Sequence, residues 1–257
     1  MTVPINIMRV MASSRQIELL DFIIREYIKT AKPVGSGLVS KKSNFKLSSA
    51  TIRNEMYELE NAGYLAQLHT SGGRVPTDRA YRFFVENLIH QENLAPEAGF
   101  KKRIQTAIKI SQDPWEMNKS IAQVISELTD NLVITNIVED NDFYKIGLSS
   151  LFEMPEFREF DKAFRLTNFF EEFESAFNRM ARDFFGEAND DLIDSVQMYI
   201  GRENPVKDVR DETVILTKYN LPKHLTGSLT IIGPTRMDYE KNIALVKCLK
   251  EELNKFI

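Results

Sequence analysis

Ala50, Arg53, Asn54 and Tyr57 recur at i, i+3, i+4 and i+7, and their side chains suit contact with nucleobase edges. Arginine can donate two parallel hydrogen bonds to guanine and asparagine can pair with adenine. An alanine methyl fits against the methyl group of thymine. The spacing calls for a helix, because only a 3.6-residue period brings those positions onto one face. Ile52, Met56 and Leu59 fall in a narrow opposing sector and give that helix a side to bury. Ser48, Ser49 and Thr51 lie in its first turn, where hydroxyls and free N–H groups at the positive helix end can hold phosphate. Glu55, Glu58 and Glu60 crowd the second half, which a helix entering a groove by its N-terminal end tolerates. Alone, the segment reads more readily as an ordinary amphipathic surface helix with a solvated polar face.

The flanking elements tip the balance. Ser13 or Ser14 can cap a helix running to about Thr30, with Ile17, Leu20, Ile24, Tyr27 and Ile28 as its apolar stripe. Pro33-Val34-Gly35 makes a turn, and Ser36 can cap a short second helix ending in Lys41 and Lys42. Asn44 to Leu47, including Lys46, is the turn into the third helix, which stops at Gly63. Three helices joined by such short turns read as a helix-turn-helix core. A strand-like run, Tyr64 to Leu68, then leads to the tip His69-Thr70-Ser71-Gly72-Gly73, and Arg74-Val75 returns. A glycine-rich tip lets backbone approach a phosphate or a minor groove, and Arg74 supplies charge there. Thr77 or Asp78 can cap a fourth helix carrying Arg79 and Arg82. The expected phosphate partners are Lys41, Lys42, Lys46, Arg74 and Arg79, with His69 and Thr70 at the tip, so binding should weaken strongly with salt.

Charge is distributed to match. Residues 1–90 hold 12 Lys/Arg against 8 Asp/Glu, whereas the remainder holds 21 against 29. A basic head on an acidic body suits contact with a polyanion through the head alone. No apolar run reaches the roughly 20 residues of a membrane span. The N-terminus lacks a long apolar core of the signal-peptide kind, and the single cysteine, Cys248, excludes an internal disulfide. The expected compartment is the cytoplasm. Three scattered histidines and one cysteine make no nucleophile–base pair and no metal site, so no cofactor, no metal and no enzymatic activity are expected.

Residues 91–112 read as a linker and connecting helix, and 113–257 as a second domain. Asp113-Pro114 starts a helix to about Thr129, with Ile121, Val124, Ile125 and Leu128 apolar. The runs 132–138, 144–148, 196–200, 213–219 and 228–232 read as strands. Between them lies a phenylalanine-rich helical region over about 156–185, whose rings fill a core or form a subunit interface. A last helix starts near Arg236. The fold class is α+β: a winged helix-turn-helix domain over 1–90, then an α+β sensor-like domain.

The run LSSATIRNEMYELENAGYLAQLHTSGGRVPTDRAYRFFV, with EYIKTAKPVGSGLVSKK before it, resembles the DNA-binding head of the heat-inducible transcription repressor family, HrcA. The pieces KIGLSSLFEMPEF, YIGRENPVKD and GSLTIIGPTRMDYEKNIALV resemble the same family, in which they belong to a GAF-like domain. The resemblance implies a repressor of chaperone genes that binds an inverted-repeat operator in double-stranded DNA as a homodimer and is modulated by the chaperonin GroEL. The sequence departs from the family in two places. HTSGGRVPT has Gly where Ala is typical. Only Glu139 to Asp142 lies between Val138 and Phe143, where the family carries an inserted domain linked to dimer assembly. The alternative function is a winged-helix regulator whose GAF-like domain senses a small molecule.

Overall fold

The computed structural model describes residues 13–42, 45, 47–68, 72–89, 97–138, 140, 143–169, 171 and 196–256. Lys46, His69 and Thr70 lie outside them, as does the helical reading beyond residue 171. The chain divides into two compact units, Met1–Glu92 and Asn93–Ile257.

In the first unit α1 spans Ser14–Thr30. It begins in a capping box, with the Ser13 hydroxyl accepting from the Gln16 amide at 3.3 Å and the Gln16 side chain accepting from the Ser13 amide at 3.0 Å. Its core face is Leu19, Leu20, Ile23 and Ile24, while Ile17, Tyr27 and Ile28 are only half-buried. The buried stripe is thus turned relative to the spacing-based expectation, which missed Leu19 and Ile23. α2 spans Ser36–Lys42. Ser36 does not cap it; the residue lies inside the first turn, and Leu38 and Val39 donate their amides to the Gly35 carbonyl. α3 spans Ser49–Asn61 with Ser48 as its cap, and buries Ile52, Met56 and Leu59 as expected, together with Glu55. Gly63, at φ 78, turns the chain out of α3. The strands β1 (Leu65–Gln67) and β2 (Arg74–Pro76) pair antiparallel, Leu65 opposite Pro76 and Gln67 opposite Arg74. α4 spans Asp78–Ile89, with the Thr77 hydroxyl accepting from the Ala80 amide.

The second unit is built on a five-stranded sheet, antiparallel throughout, in the order β4-β3-β7-β6-β5. The strands are β3 (Leu132–Ile137), β4 (Phe143–Ile146), β5 (Val196–Ile200), β6 (Glu212–Leu221) and β7 (Leu225–Pro234). β6 and β7 are longer than their sequence runs because register pairing continues from Leu221 opposite Leu225 to Glu212 opposite Pro234. The helices are α5 (Ala98–Lys109), α6 (Pro114–Thr129), α7 (Leu148–Glu153) and α8 (Tyr239–Phe256). α8 starts three residues later than expected, because Asp238 supplies the capping carboxylate to the Lys241 amide. One sheet face carries Leu132, Ile134, Val214, Leu216 and Ile232 and packs on α7, a 3-10 turn at Pro155–Arg158 and helical residues 160–169. The opposite face meets α6 and α8, and α5 lies on those two helices. Strict alternation along β3 and β6 produces both faces.

A buried polar array sits between α6 and that second face. Tyr219 donates to the Asn118 carbonyl oxygen at 2.5 Å, and Asn118 donates to the Asn136 carbonyl at 3.1 Å. Thr135 donates to the Ser228 carbonyl at 2.6 Å. Asn118 was not among the residues expected on the packed face of α6, which was read from Ile121, Val124, Ile125 and Leu128.

Candidate nucleic-acid interface

α3 is held from α1 and β2 through three different acidic side chains. Arg15 on α1 donates to Glu55, whose side chain is 10% exposed. Gln16 on α1 donates to Glu58 at 2.5 Å. Arg74 on β2 donates through Nε to Glu60 at 2.9 Å. The acidic half of the helix is therefore internally bonded, which the sequence treated only as tolerable. The N-terminal end is held by hydroxyls. The Thr51 amide donates to Ser48 Oγ at 3.1 Å, the Ser48 and Thr51 hydroxyls pair at 2.9 Å, and Ser49 pairs with the near-buried Ser36 of α2 at 2.9 Å.

Against this background the polar face is distinct. Ala50, Arg53, Asn54 and Tyr57 are all exposed, Tyr57 by 58%. Among the described residues, no hydrogen bond or ion pair holds the side chains of Arg53, Asn54 or Tyr57. The structure thus groups the four residues that spacing picked out, on the side of α3 away from Ile52 and Met56. An exposed Arg and Asn without internal partners keep their full donor and acceptor capacity for something outside the chain.

The basic side chains divide. Lys41 is exposed and has no described partner. Lys42 is exposed but paired with Glu26 at 2.8 Å. Arg79 donates to the Ala62 carbonyl at 2.8 Å and lies 4.5 Å over the Tyr64 ring, so it closes the C-terminal end of α3. Arg74 is the largest difference from expectation: its side chain is 11% exposed and turned inward onto Glu60 rather than outward from a tip.

Elsewhere, several charged side chains are paired or buried. Arg236 pairs with Glu156, its Nη2 donating at 2.9 Å. Glu212, buried at the start of β6, has its carboxyl pushed up to about 7, first by burial and then by the neighbouring Asp211 charge. Among the described residues, its Oε2 and the Oδ1 of nearby Asn204 have no hydrogen-bond partner. Lys255, Gln105 and Lys101 converge on Glu252 and hold its carboxyl down at about 2. Burial raises the Cys248 thiol, as expected of a packing residue rather than a nucleophile. Among the described residues no cluster of His, Cys, Asp or Glu could hold a metal, and no helix is long and apolar enough to cross a membrane.

These features define a two-unit α+β protein in which a small helical unit presents one uncommitted polar helix face. A family model described as the HrcA protein C-terminal domain matches residues 50–243. The chain belongs to the HrcA family. It is 26% identical to the heat-inducible transcription repressor HrcA of Thermoanaerobacter pseudethanolicus over 339 residues, covering 95% of this chain and 96% of that protein. It is 28% identical to the repressor of the same name from Clostridium tetani over 333 residues, covering 95% of each. Those alignments are longer than the 257 residues of this chain, so the relatives carry sequence that has no counterpart here. A crystal structure described as that of a hypothetical protein has the same fold, with a TM-score of 0.77 at 20% identity over 95% of this chain and 98% of the other.

Proposed function

We propose that the chain is a DNA-binding transcription repressor of heat-shock genes. In this reading the first unit is a winged helix-turn-helix head, α3 enters the major groove by its N-terminal end, and the β1–β2 hairpin is the wing. Arg53 and Asn54 read base edges, Ala50 and Tyr57 pack beside them, and Lys41, Lys42, Ser48, Ser49 and Thr51 border the backbone. Lys46, His69 and Thr70 belong to the same surface by sequence. The observation that carries the reading is the contrast on α3: its acidic side chains are internally bonded, while the Arg53 and Asn54 side chains have no partner among the described residues.

The second unit is a GAF-like body that pairs two chains, so that two heads meet the half-sites of an inverted repeat. Repression is by occupancy, without chemistry, in the cytoplasm. Modulation by the chaperonin GroEL is part of the same reading and rests on the family resemblance alone.

Selection of random-sequence duplexes by the intact chain tests DNA reading. The expected product is an enriched inverted repeat, bound with a steep inverse dependence on salt. No enrichment above the input pool would overturn it. Light scattering of the chain with its selected duplex should give two chains per duplex; a single chain, both free and bound, overturns the dimer.

A further inference from the structure

A glycine and an arginine at the start of β2 are built into the head in a way that a free wing does not require. Val34, in the turn between α1 and α2, exchanges two backbone hydrogen bonds with Arg74, each 2.9 Å. Gly73 passes so close to this turn that a Cβ there would sit 2.6 Å from the Val34 carbonyl carbon and 2.7 Å from that of Pro33. The Arg74 side chain then reaches the last turns of α3 and bonds Glu60 through Nε. Backbone on one side and side chain on the other connect the hairpin root to both other parts of the head. The guanidinium is nearly buried, so a phosphate has little of it to touch.

We infer that Glu60 and Arg74 are a positioning pair, fixing the β1–β2 hairpin against α3 and the Pro33–Val34 turn, and that Arg74 acts on DNA through Glu60 rather than by binding phosphate. This rests on the reading of α3 as a DNA-contacting helix. The pair also keeps a carboxylate from facing the duplex unpaired. Glu60 therefore supports binding, although its charge taken alone opposes it.

That inversion of sign makes the test sharp. The probe is a fluorescein-labelled duplex selected from a random pool by the intact chain, titrated by anisotropy over a range of salt. Removal of an isolated anion near DNA tightens binding. The positioning pair predicts that Glu60→Ala weakens binding about tenfold, the scale of one charge-assisted hydrogen bond. Arg74→Gln weakens it by a similar factor, and the double variant by no more than either single one. The salt slope stays at the wild-type value in all three, whereas loss of one phosphate contact lowers it by about 0.9. Ala is a better helix former than Glu, so α3 persists in Glu60→Ala, and thermal unfolding of the variant checks this. Tighter or unchanged binding by Glu60→Ala, or a lowered slope confined to Arg74→Gln, overturns the inference. If the wild-type chain selects no duplex, it is the DNA reading that fails.

Discussion

Glu212→Gln isolates a single ionisation in the second unit. Glu212 is 3% exposed and its carboxyl is raised from 4.5 to about 7. Between those two values the folded state holds a proton that the unfolded state has released. Stability therefore falls as pH rises through this window and levels off above it. At 1.36 kcal/mol per pH unit, the shift corresponds to a loss of about 3 kcal/mol between the two limits. Lys162 and Arg165 oppose the shift, and Arg165 is itself paired with Asp211 at 2.7 Å. Gln cannot ionise and keeps the size of the protonated side chain. The variant is therefore expected to match the wild type at about pH 5 and to exceed it by about 2–3 kcal/mol at about pH 8. Trp115 is the only tryptophan and lies in the second unit, so urea titrations followed by its fluorescence report that unit. The quantity to plot is the difference between variant and wild type, because Glu252, held at about 2, contributes with the opposite sign: stability present above 4.5 and lost as pH falls through about 2. Parallel curves for the two proteins from pH 5 to 8 refute the assignment of this ionisation to Glu212.

Arg53→Ala is expected to cost about 1–3 kcal/mol of discrimination between selected and scrambled duplex, measured by competition anisotropy, with unfolding unchanged within about 0.5 kcal/mol. Gly73→Ala forces a methyl group onto the Val34 backbone and should destabilise the first unit by about 1–3 kcal/mol, with faster hydrogen exchange at the Val34 and Arg74 amides. Asn118→Ala removes the bond from Tyr219 and its own bond to the Asn136 carbonyl, leaving the Tyr219 hydroxyl only a 3.4 Å contact with Thr135, and should lower stability by about 1–3 kcal/mol; adding Tyr219→Phe should recover part of this in denaturant melts. Phe160→Ser should shift unfolding of the isolated chain by no more than about 0.5 kcal/mol, since the ring is 79% exposed.

The sequence was most legible where a short-range rule acts alone. The Ser13 cap and the sector Ile52, Met56 and Leu59 needed only neighbours within a turn or two. Strand existence in the second unit followed from β-branched runs. Strand ends did not, because they are set by register across the sheet, as in β6 and β7. The core stripe of α1 was misjudged because apolar residues occupy more than one side of that helix, and only its neighbours decide which side is buried. The candidate interface shows the same division. The exposed face of α3 follows from spacing. The inward turn of Arg74 does not, since it depends on Glu60 fourteen positions earlier and on a turn forty residues away. Two glycines before an arginine read as a flexible tip. The close approach of Gly73 to Pro33 and Val34 is the signal that was there, and it needs three dimensions to be seen.

The β3–β4 pair has a further consequence. Asn136 lies opposite Phe143, so the two strands are joined by a short connection at the sheet's edge. Their junction ends at two points a strand spacing apart, about 5 Å. Any folded module whose own ends lie that close can be spliced there or removed without altering the order or register of the other strands. For the folding chain, the short junction makes β3–β4 a local contact that closes early, with little loop entropy to overcome. This edge is accordingly a port in the architecture, and the natural position at which to graft a reporter domain.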